Sequence, residues 1–320
     1  MTTSSEMKQE TDGGMVHTLS TGQQIPLPPH EEFYAQLITR NEGLVSQQDQ
    51  ERLRKAVILI AGCGSVGGAA IEPLIRFGAE HLLLAEPAEY DLHNMNRQSV
   101  RLQDVGRNKA LVFQERMRDI NPYASVEVDP RGIVAENVEA LVGRSTLILD
   151  GVDVTTRPPL ASKFALHREA KRFGVPVVAG YDIGGLQLLL IYDYRRSGTQ
   201  VLNGRVRENE IDDLEPMVFL QRVIPLGAIP AEIIPELRRQ LRKERKGFPQ
   251  VVYTANLFGV LALPAVLELL ARRPIRHKVI LDVPHVLRPR SAQLRLLFPR
   301  LYGLFKLNGE FHRTQKSLEQ

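Results

Sequence analysis

Hydrophobic residues along this chain gather into short continuous runs separated by stretches of helical spacing. Ala56-Val-Ile-Leu-Ile-Ala61, rich in β-branched side chains and closed by Gly62, has the character of a strand buried on both faces. His81-Leu-Leu-Leu-Ala85, Leu147-Ile-Leu-Asp150 and Val175-Pro-Val-Val-Ala179 repeat the pattern, with helical composition between them, as in Ser162 to Phe173. The alternation predicts βαβ units and an α/β fold: a doubly wound, Rossmann-like, mostly parallel sheet with helices on both faces. Leu186-Gln-Leu-Leu-Leu-Ile-Tyr192 opens a further strand pair within 181–203, and Lys278-Val-Ile-Leu-Asp282 is a late strand. Residues 251–272 are predicted as a buried helix, whose most hydrophobic segment, Leu257 to Ala271 with Pro264 and Glu268, is too short to span a bilayer. The basic stretch 285–320 yields strands or helix without an assigned place.

Four segments follow from this pattern. Residues 1–30 hold Thr, Ser, Glu, Gly and Gln with little to bury and no signal-peptide run, which predicts a flexible or loosely docked arm. Residues 31–200, beginning with a helical stretch from Glu31 to Lys55, form the domain built from that alternation of strands and helices. Residues 201–250, with Pro216, Pro225, Pro230 and Pro235, are a variable insertion facing substrate, and 251–320 form a C-terminal lobe of helix and strand completing the fold. The 320 residues carry a net charge of +4, 43% hydrophobic and 24% charged residues, which excludes wholesale disorder, collagen-like repeats and a membrane-spanning bundle. The basic run Arg238-Arg-Gln-Leu-Arg-Lys-Glu-Arg-Lys246 is either the solvated face of a helix or a surface for RNA or an acidic partner. A single cysteine, Cys63, rules out an internal disulfide and a Cys-based zinc site, so zinc is not expected and a reducing, cytoplasmic setting is.

Gly62-Cys63-Gly64-Ser65-Val66-Gly67-Gly68 stands directly after the first strand and before a helix start at Ala69-Ala70-Ile71. Glycine permits the tight turn and a close approach of backbone to phosphate, while the helix N-terminus offers free N–H groups to an anion. Glu86 ends the second strand, where it can accept hydrogen bonds from ribose hydroxyls, so Gly62, Gly64, Gly67 and Glu86 predict a nucleotide site rather than a merely structural turn. Asn94, Arg97 and Gln98 come next, then Lys109 at the head of a helix. Two cations and two amides beside a glycine loop point to a triphosphate, not a dinucleotide. Asp150 and Asp153 stand at the carboxyl edge of the sheet; a triphosphate needs a hard cation, which makes Asp153 the expected Mg²⁺ ligand. Asp150 is either a second ligand or a cap, and Arg157 either supports phosphates or starts a helix.

Together, Ile60-Ala-Gly-Cys-Gly-Ser-Val-Gly-Gly68, Glu86, Asn94-Met-Asn-Arg97-Gln98, Lys109, Asn121-Pro122, Asp150-Gly-Val-Asp153 and Gly174-Val-Pro176-Val-Val resemble the ThiF/MoeB/HesA family, the adenylating domain shared with ubiquitin-activating enzymes. The resemblance covers roughly residues 38–195 and, more loosely, 251–272. It implies ATP- and Mg²⁺-dependent adenylation of a carboxylate. Gly62, Gly64 and Gly67 would bind phosphate, Glu86 ribose, Asn94, Arg97, Gln98 and Lys109 the triphosphate, and Asp153 the metal. It also implies a homodimer in which Arg40 reaches into the partner's site.

Two departures stand out. There are no CxxC pairs for zinc and no cysteine after the sheet for a thioester; Cys63, inside the loop, is expected to be a packing residue. Thiol-free chemistry of this kind is similar to that of members modifying ribosomally made peptides, such as the microcin C and pantocin enzymes. A peptide or small-protein substrate is therefore expected, approached by 201–250 with its Ile224-Pro225-Leu-Gly-Ala-Ile-Pro230 segment, and neither nucleic acid nor membrane. The competing readings are an adenylating dehydratase acting on modified tRNA, a catalytically idle binding subunit, and a nicotinamide oxidoreductase.

Overall fold

A computed structural model of the chain describes residues 10–11, 14–242, 244 and 247–318. The start of the chain differs from the expected arm. Glu10–Thr11 (β1), Gly14–Thr18 (β2) and Gln24–Leu27 (β3) form a three-stranded antiparallel sheet, with Ile25 and Leu27 turned inward and Gln24 and Pro26 outward. Its β2–β3 turn is anchored where the Ser20 N–H donates to Asp119 Oδ1 at 3.0 Å, and the Tyr123 hydroxyl holds the following segment through the Pro28 carbonyl at 2.7 Å. Composition missed this because its few apolar residues are spent on a small satellite sheet and not on the main core. The rest of the expected arm, 1–9 and 12–13, lies outside the described residues.

Helices His30–Ile38 (α1) and Gln47–Lys55 (α2) precede the main sheet, and Ser46 caps α2 by accepting the Asp49 N–H at 3.1 Å. Then follow Val57–Ala61 (β4), Gly67–Arg76 (α3), His81–Ala85 (β5), Lys109–Arg118 (α4), Ser125–Asp129 (β6), Val138–Gly143 (α5), Leu147–Asp150 (β7), Arg157–Phe173 (α6), Val177–Ile183 (β8) and Leu186–Tyr192 (β9). After β9 come Pro216–Val223 (α7), Ile234–Leu241 (α8), Val252–Leu270 (α9), Lys278–Asp282 (β10), Val283–Leu287 (α10) and Arg290–Leu318 (α11). The seven-stranded sheet has the order β10-β9-β8-β7-β4-β5-β6. Strands β4 to β8 run parallel, while β9 and β10 are antiparallel to their neighbours. The strand pair expected within 181–203 is the end of β8 with β9, no second strand following β9 there, and the late strand expected at Lys278 to Asp282 is β10, which pairs with β9. It is a mixed α/β, Rossmann-like architecture, as the strand and helix pattern predicts.

Because successive side chains on a strand face opposite sides, the sheet carries two cores. Leu59, Leu83 and Ile148 face the layer that includes α5 and α6, and Ile58, Ile60 and Leu149 face α3, α4 and α9. Helix α9 lies where a buried helix is expected, but it is not too short to span a bilayer: its 19 residues are by length and composition enough to cross a membrane. In this fold Phe258, Ala262, Ala265, Val266 and Leu269 are instead buried in the second core. A Cβ on Gly259 would lie 2.2 Å from the Ala69 carbonyl oxygen, so the α9 and α3 backbones touch there. Residues 285–320, unassigned by pattern, are chiefly α11; its inner face contributes Leu307 and Phe311 to the first core, against α8.

Candidate active site

The chain runs β4, β5, β6 to one side of the sheet and resumes with β7, β8 on the other, so the order reverses between β4 and β7. Ligands in such sheets bind beyond the carboxyl ends at that point. Here those ends open into a cavity of about 930 Å³ lined by Gly62, Gly64, Ser65 and Val66. Gly62 has φ +84°, and a Cβ on it would lie 2.5 Å from the Gly151 carbonyl oxygen; at Gly67 it would lie 2.0 Å from the Gly62 carbonyl oxygen. The fold itself requires these two glycines. Gly64 differs, because the nearest atom to an added Cβ is Gln98 Nε2 at 3.8 Å, so its missing side chain leaves room on the cavity side. Among the described residues nothing accepts from the N–H groups of Gly64, Ser65 and Val66, which precede α3. That combination suits an anion.

Glu86 is buried at the end of β5. Its Oε2 accepts the Cys63 N–H at 2.7 Å and its Oε1 the Ala88 N–H at 2.8 Å, which fixes the carboxylate to the glycine loop and leaves lone pairs for hydroxyl donors. Asn108 sets the next element: its Oδ1 caps α4 at Ala110 and Leu111, and its Nδ2 donates to the Glu86 carbonyl at 2.9 Å. Lys109 follows, buried, with Nζ 5.8 Å from the Tyr90 ring centre. Asn108 carries a legible sequence signal, an asparagine before a helix, that motif reading passed over.

Arg97, Gln98, Lys109 and Asp153 all line the same cavity. The Arg97 Nη1 donates to the His93 carbonyl at 3.1 Å and to Asn96 Oδ1 at 2.9 Å, while its buried Nε and the buried Gln98 Oε1 have no partner among the described residues. Burial pulls the Arg97 guanidinium below its ordinary range, and Asp182 and Asp153 pull it back. Asn94 also lines the cavity, but its Oδ1 accepts the Asp91 N–H at 2.9 Å and shapes the turn carrying Arg97. Asp153 is exposed; its oxygens accept the Thr155 N–H and hydroxyl, both at 2.9 Å.

Three residues earlier, Asp150 has a different part. It is fully buried, 2.5 Å from Lys163 Nζ and 2.9 Å from His167 Nε2. Burial would push its carboxyl up, yet Lys163 and His167 outweigh that and hold it well below the ordinary carboxylate range. Asp150 thus ties β7 to α6 and is no metal ligand. Arg157 starts α6 and pairs with Glu215, away from the phosphate loop, resolving that alternative toward the helix start. Cys63 is wholly buried and its thiol is pushed up by burial, with Glu86 adding to the effect. It packs, as expected. Arg40 is exposed in the turn Thr39–Asn41, and neighbouring Asn41 and Gln50 donate to the Phe77 carbonyl just past the end of α3. A ten-residue helix spans about 15 Å. Arg40 is therefore held at the end of α3 remote from the glycine loop of its own chain.

Two residues were invisible to motif reading. Asp182, near the end of β8, lines the cavity with a buried Oδ1 that has no partner among the described residues; burial raises its carboxyl to about 6, against hydrogen bonding from Ser65 and the charge of Arg97. Gln250 crosses above it, its Nε2 donating to Ser65 Oγ at 3.2 Å and Asp182 Oδ2 at 3.4 Å. Neither belongs to a motif: the parallel order β4-β7-β8 brings the β8 end to the edge where the loop lies, and the bridge between Gly184 and Gln250 brings Gln250 over it.

The ThiF family matches residues 38–190. The sulfur carrier protein adenylyltransferase of Thermus thermophilus is 27% identical over 151 residues, 47% of this chain and 53% of its own. The chain thus spans about half the length of that relative. Among solved structures, Escherichia coli tRNA N6-threonylcarbamoyladenosine dehydratase, TcdA, in complex with ATP matches with a TM-score of 0.54 and 20% identity, covering 76% of this chain and 96% of that one. Escherichia coli MccB with MccA-N7isoASN gives a TM-score of 0.52 and 17% identity, covering 74% and 64%. At such identities these two structures support the fold.

Proposed function

Residues 38–190 are a ThiF family domain, and from that premise we propose that the protein is an ATP- and Mg²⁺-dependent enzyme that adenylates a carboxylate on a peptide or small protein. One observation carries this reading: the glycine loop, Glu86, Arg97, Gln98, Lys109 and Asp153 meet in one cavity, while the sole cysteine is sealed in the core. A carboxylate oxygen attacks the α-phosphorus, the bond to the β-phosphate oxygen breaks, and pyrophosphate leaves. That exchange needs alignment and charge neutralisation, not a covalent protein group. Arg97 and Lys109 supply fixed positive charge, Glu86 holds the ribose, and the N–H groups ahead of α3 receive phosphate. Among the described residues no three His, Cys, Asp or Glu gather as a metal cage. A single carboxylate, Asp153, beside phosphate oxygens is a customary Mg²⁺ arrangement, and the bound ion would neutralise phosphate charge.

The thiol-free site fits modification of a ribosomally made peptide, with the activated carboxylate captured by a group of the substrate. MccB, whose structure holds MccA-N7isoASN, is a neighbour consistent with that class. A tRNA substrate is the second reading, prompted by the match along 96% of TcdA. Against it, the described arginines of the basic run are engaged: Arg238 meets Glu310 at 2.6 Å, Arg239 meets Glu236 at 3.5 Å, and Arg242 meets Glu310 at 3.3 Å. The two pairs with Glu310 tie α8 and its end to α11, the third lies within α8, and together they leave little charge for phosphates; residues 243, 245 and 246 of the run lie outside the described residues. The same reading makes the working unit a homodimer with Arg40 acting across it.

Isotope exchange between pyrophosphate and ATP, with Mg²⁺ and a panel of peptides, tests the proposal. Exchange dependent on a peptide supports it. ATP binding without exchange for any peptide, together with salt-sensitive tRNA binding, would replace it with the second reading.

A further inference from the structure

The cavity has a second half that nucleotide binding leaves unused. Its volume of about 930 Å³ is at the upper end for a small-molecule site, roughly 300–1,000 Å³, and its far wall is almost wholly aliphatic and aromatic. Leu220 and Ile224 come from α7 and its end, Ile229 and Ile233 from the loops that follow, Leu237 from α8, and Phe311 from α11. Ile229, Ile233, Leu237 and Phe311 are buried in the first core, so this is a built wall. Between the two halves stand two complementary groups with open valences. Arg97 Nε is buried without an acceptor, and Asp182 Oδ1 is buried without a donor, among the described residues. Buried polar atoms are rarely left so, and an unmade hydrogen bond of this kind marks where a ligand atom belongs.

We propose that the acid activated here is the carboxyl-terminal residue of a peptide, or a free α-amino acid, bearing a bulky apolar side chain. That side chain fills the pouch between α7, α8 and α11; the residue's N–H or ammonium donates to Asp182, and its carboxylate lies at Arg97, beside the phosphate end. The inference rests on the adenylation reading and adds what that reading lacks, a rule for the substrate. The chemistry of the neck requires it: one acceptor, one cation and one apolar recess is the set of groups that an α-amino acid residue matches.

Peptides identical except for the last residue, ending in Leu, Phe, Gly, Asn, Asp or Lys, and free leucine, are compared by pyrophosphate exchange and by calorimetric binding with a non-hydrolysable ATP analogue. Leu and Phe ends are expected to exceed the polar ends by at least about tenfold, the scale of discrimination by an apolar pocket. Leu220→Trp fills the pouch and should erase that preference while keeping binding of the ATP analogue; since the chain has no tryptophan, the new indole also reports its own burial. Asp182→Asn, which still accepts an N–H, should keep peptide binding within a few fold but lose free leucine by tenfold or more. Polar ends equal to or better than Leu and Phe in exchange would overturn the inference while the adenylation reading stands. Apolar-selective binding abolished by Leu220→Trp, without exchange, would keep the pouch as the recognition site for an apolar α-amino acid residue and sink the adenylation reading. Absence of apolar selectivity in both assays overturns the inference.

Discussion

At the phosphate end of the cavity backbone meets backbone, with Gly62, Gly67 and Gly151 packed so closely that a single added methyl would overlap a main-chain atom. At the far end the walls are side chains of α7, α8 and α11, and backbone stays behind them. The first end is dictated by chemistry that never varies, since a phosphate has one shape and charge. The second is dictated by whatever acid is bound, and side chains can be exchanged without disturbing the sheet. Rigidity and variability are thus assigned to opposite ends of a single chamber.

The sharpest way to break this division is to unsettle the frame beneath the phosphate end. Asp150→Ala would leave Lys163 and His167 buried without their anion, and a loss of about 3–5 kcal/mol is expected in denaturant unfolding. A variant losing under about 1 kcal/mol would show that β7 is not pinned through this contact. Next, Arg97→Ala and Lys109→Ala should each lower exchange by about 10²–10³ with the fold intact by circular dichroism, the usual cost of one fixed donor at a developing charge. Unchanged turnover in either would remove that side chain from the site.

Asp182 gives a smaller and pH-dependent effect. Its folded carboxyl is raised to about 6 from an ordinary 3.8, so folding favours the neutral form. Stability from this group is complete below about pH 4, is lost as pH rises through 6, and stays lost above. Asp182→Asn should therefore match the parent near pH 4 and exceed it by up to about 3 kcal/mol at pH 8, as followed by melting temperature against pH. A constant offset across that range would mean Asp182 is ionised freely in the native state. Smallest of all, Cys63→Ala should cost about 1 kcal/mol and keep most of the activity. Complete inactivity in a folded Cys63→Ala protein would reinstate the thiol.

Legibility in the sequence divides along the same line as the cavity. Strands β5, β7 and β9 coincide with runs marked by hydrophobicity alone, because a strand buried on both faces can hardly be written otherwise, and the edge strand β10, only partly buried, coincides with its shorter apolar run Val279-Ile-Leu281. The glycines, Glu86, Arg97 and Lys109 could be found because phosphate recognition fixes residue type and spacing together. Asp182 and Gln250 could not: one ends a strand without any motif, the other sits 68 positions later, and their meeting depends on the strand order and on how the segment before α9 returns. Likewise, the apolar wall is spread over α7, α8, α11 and the connecting loops, whose periodicity says that each is half-buried but not that they share a recess. Asp150 and Asp153 are the instructive pair. Sequence places both at the sheet edge; only the positions of Lys163 and His167, one helix away, send the first into the core and leave the second to solvent.

The contact among the loop glycines has an evolutionary corollary. A Cβ at position 62 strikes Gly151, one at 67 strikes Gly62, and one at 151 comes within 2.7 Å of the Gly67 nitrogen, so each of the three positions polices the other two. Substitutions there would be strongly non-additive, because the first displaces the loop and the second then finds the space already lost. Such a triangle cannot be crossed by single steps. It would be inherited as one unit, drifting only when all three members change together, while the pouch beyond it is free to follow new substrates one side chain at a time.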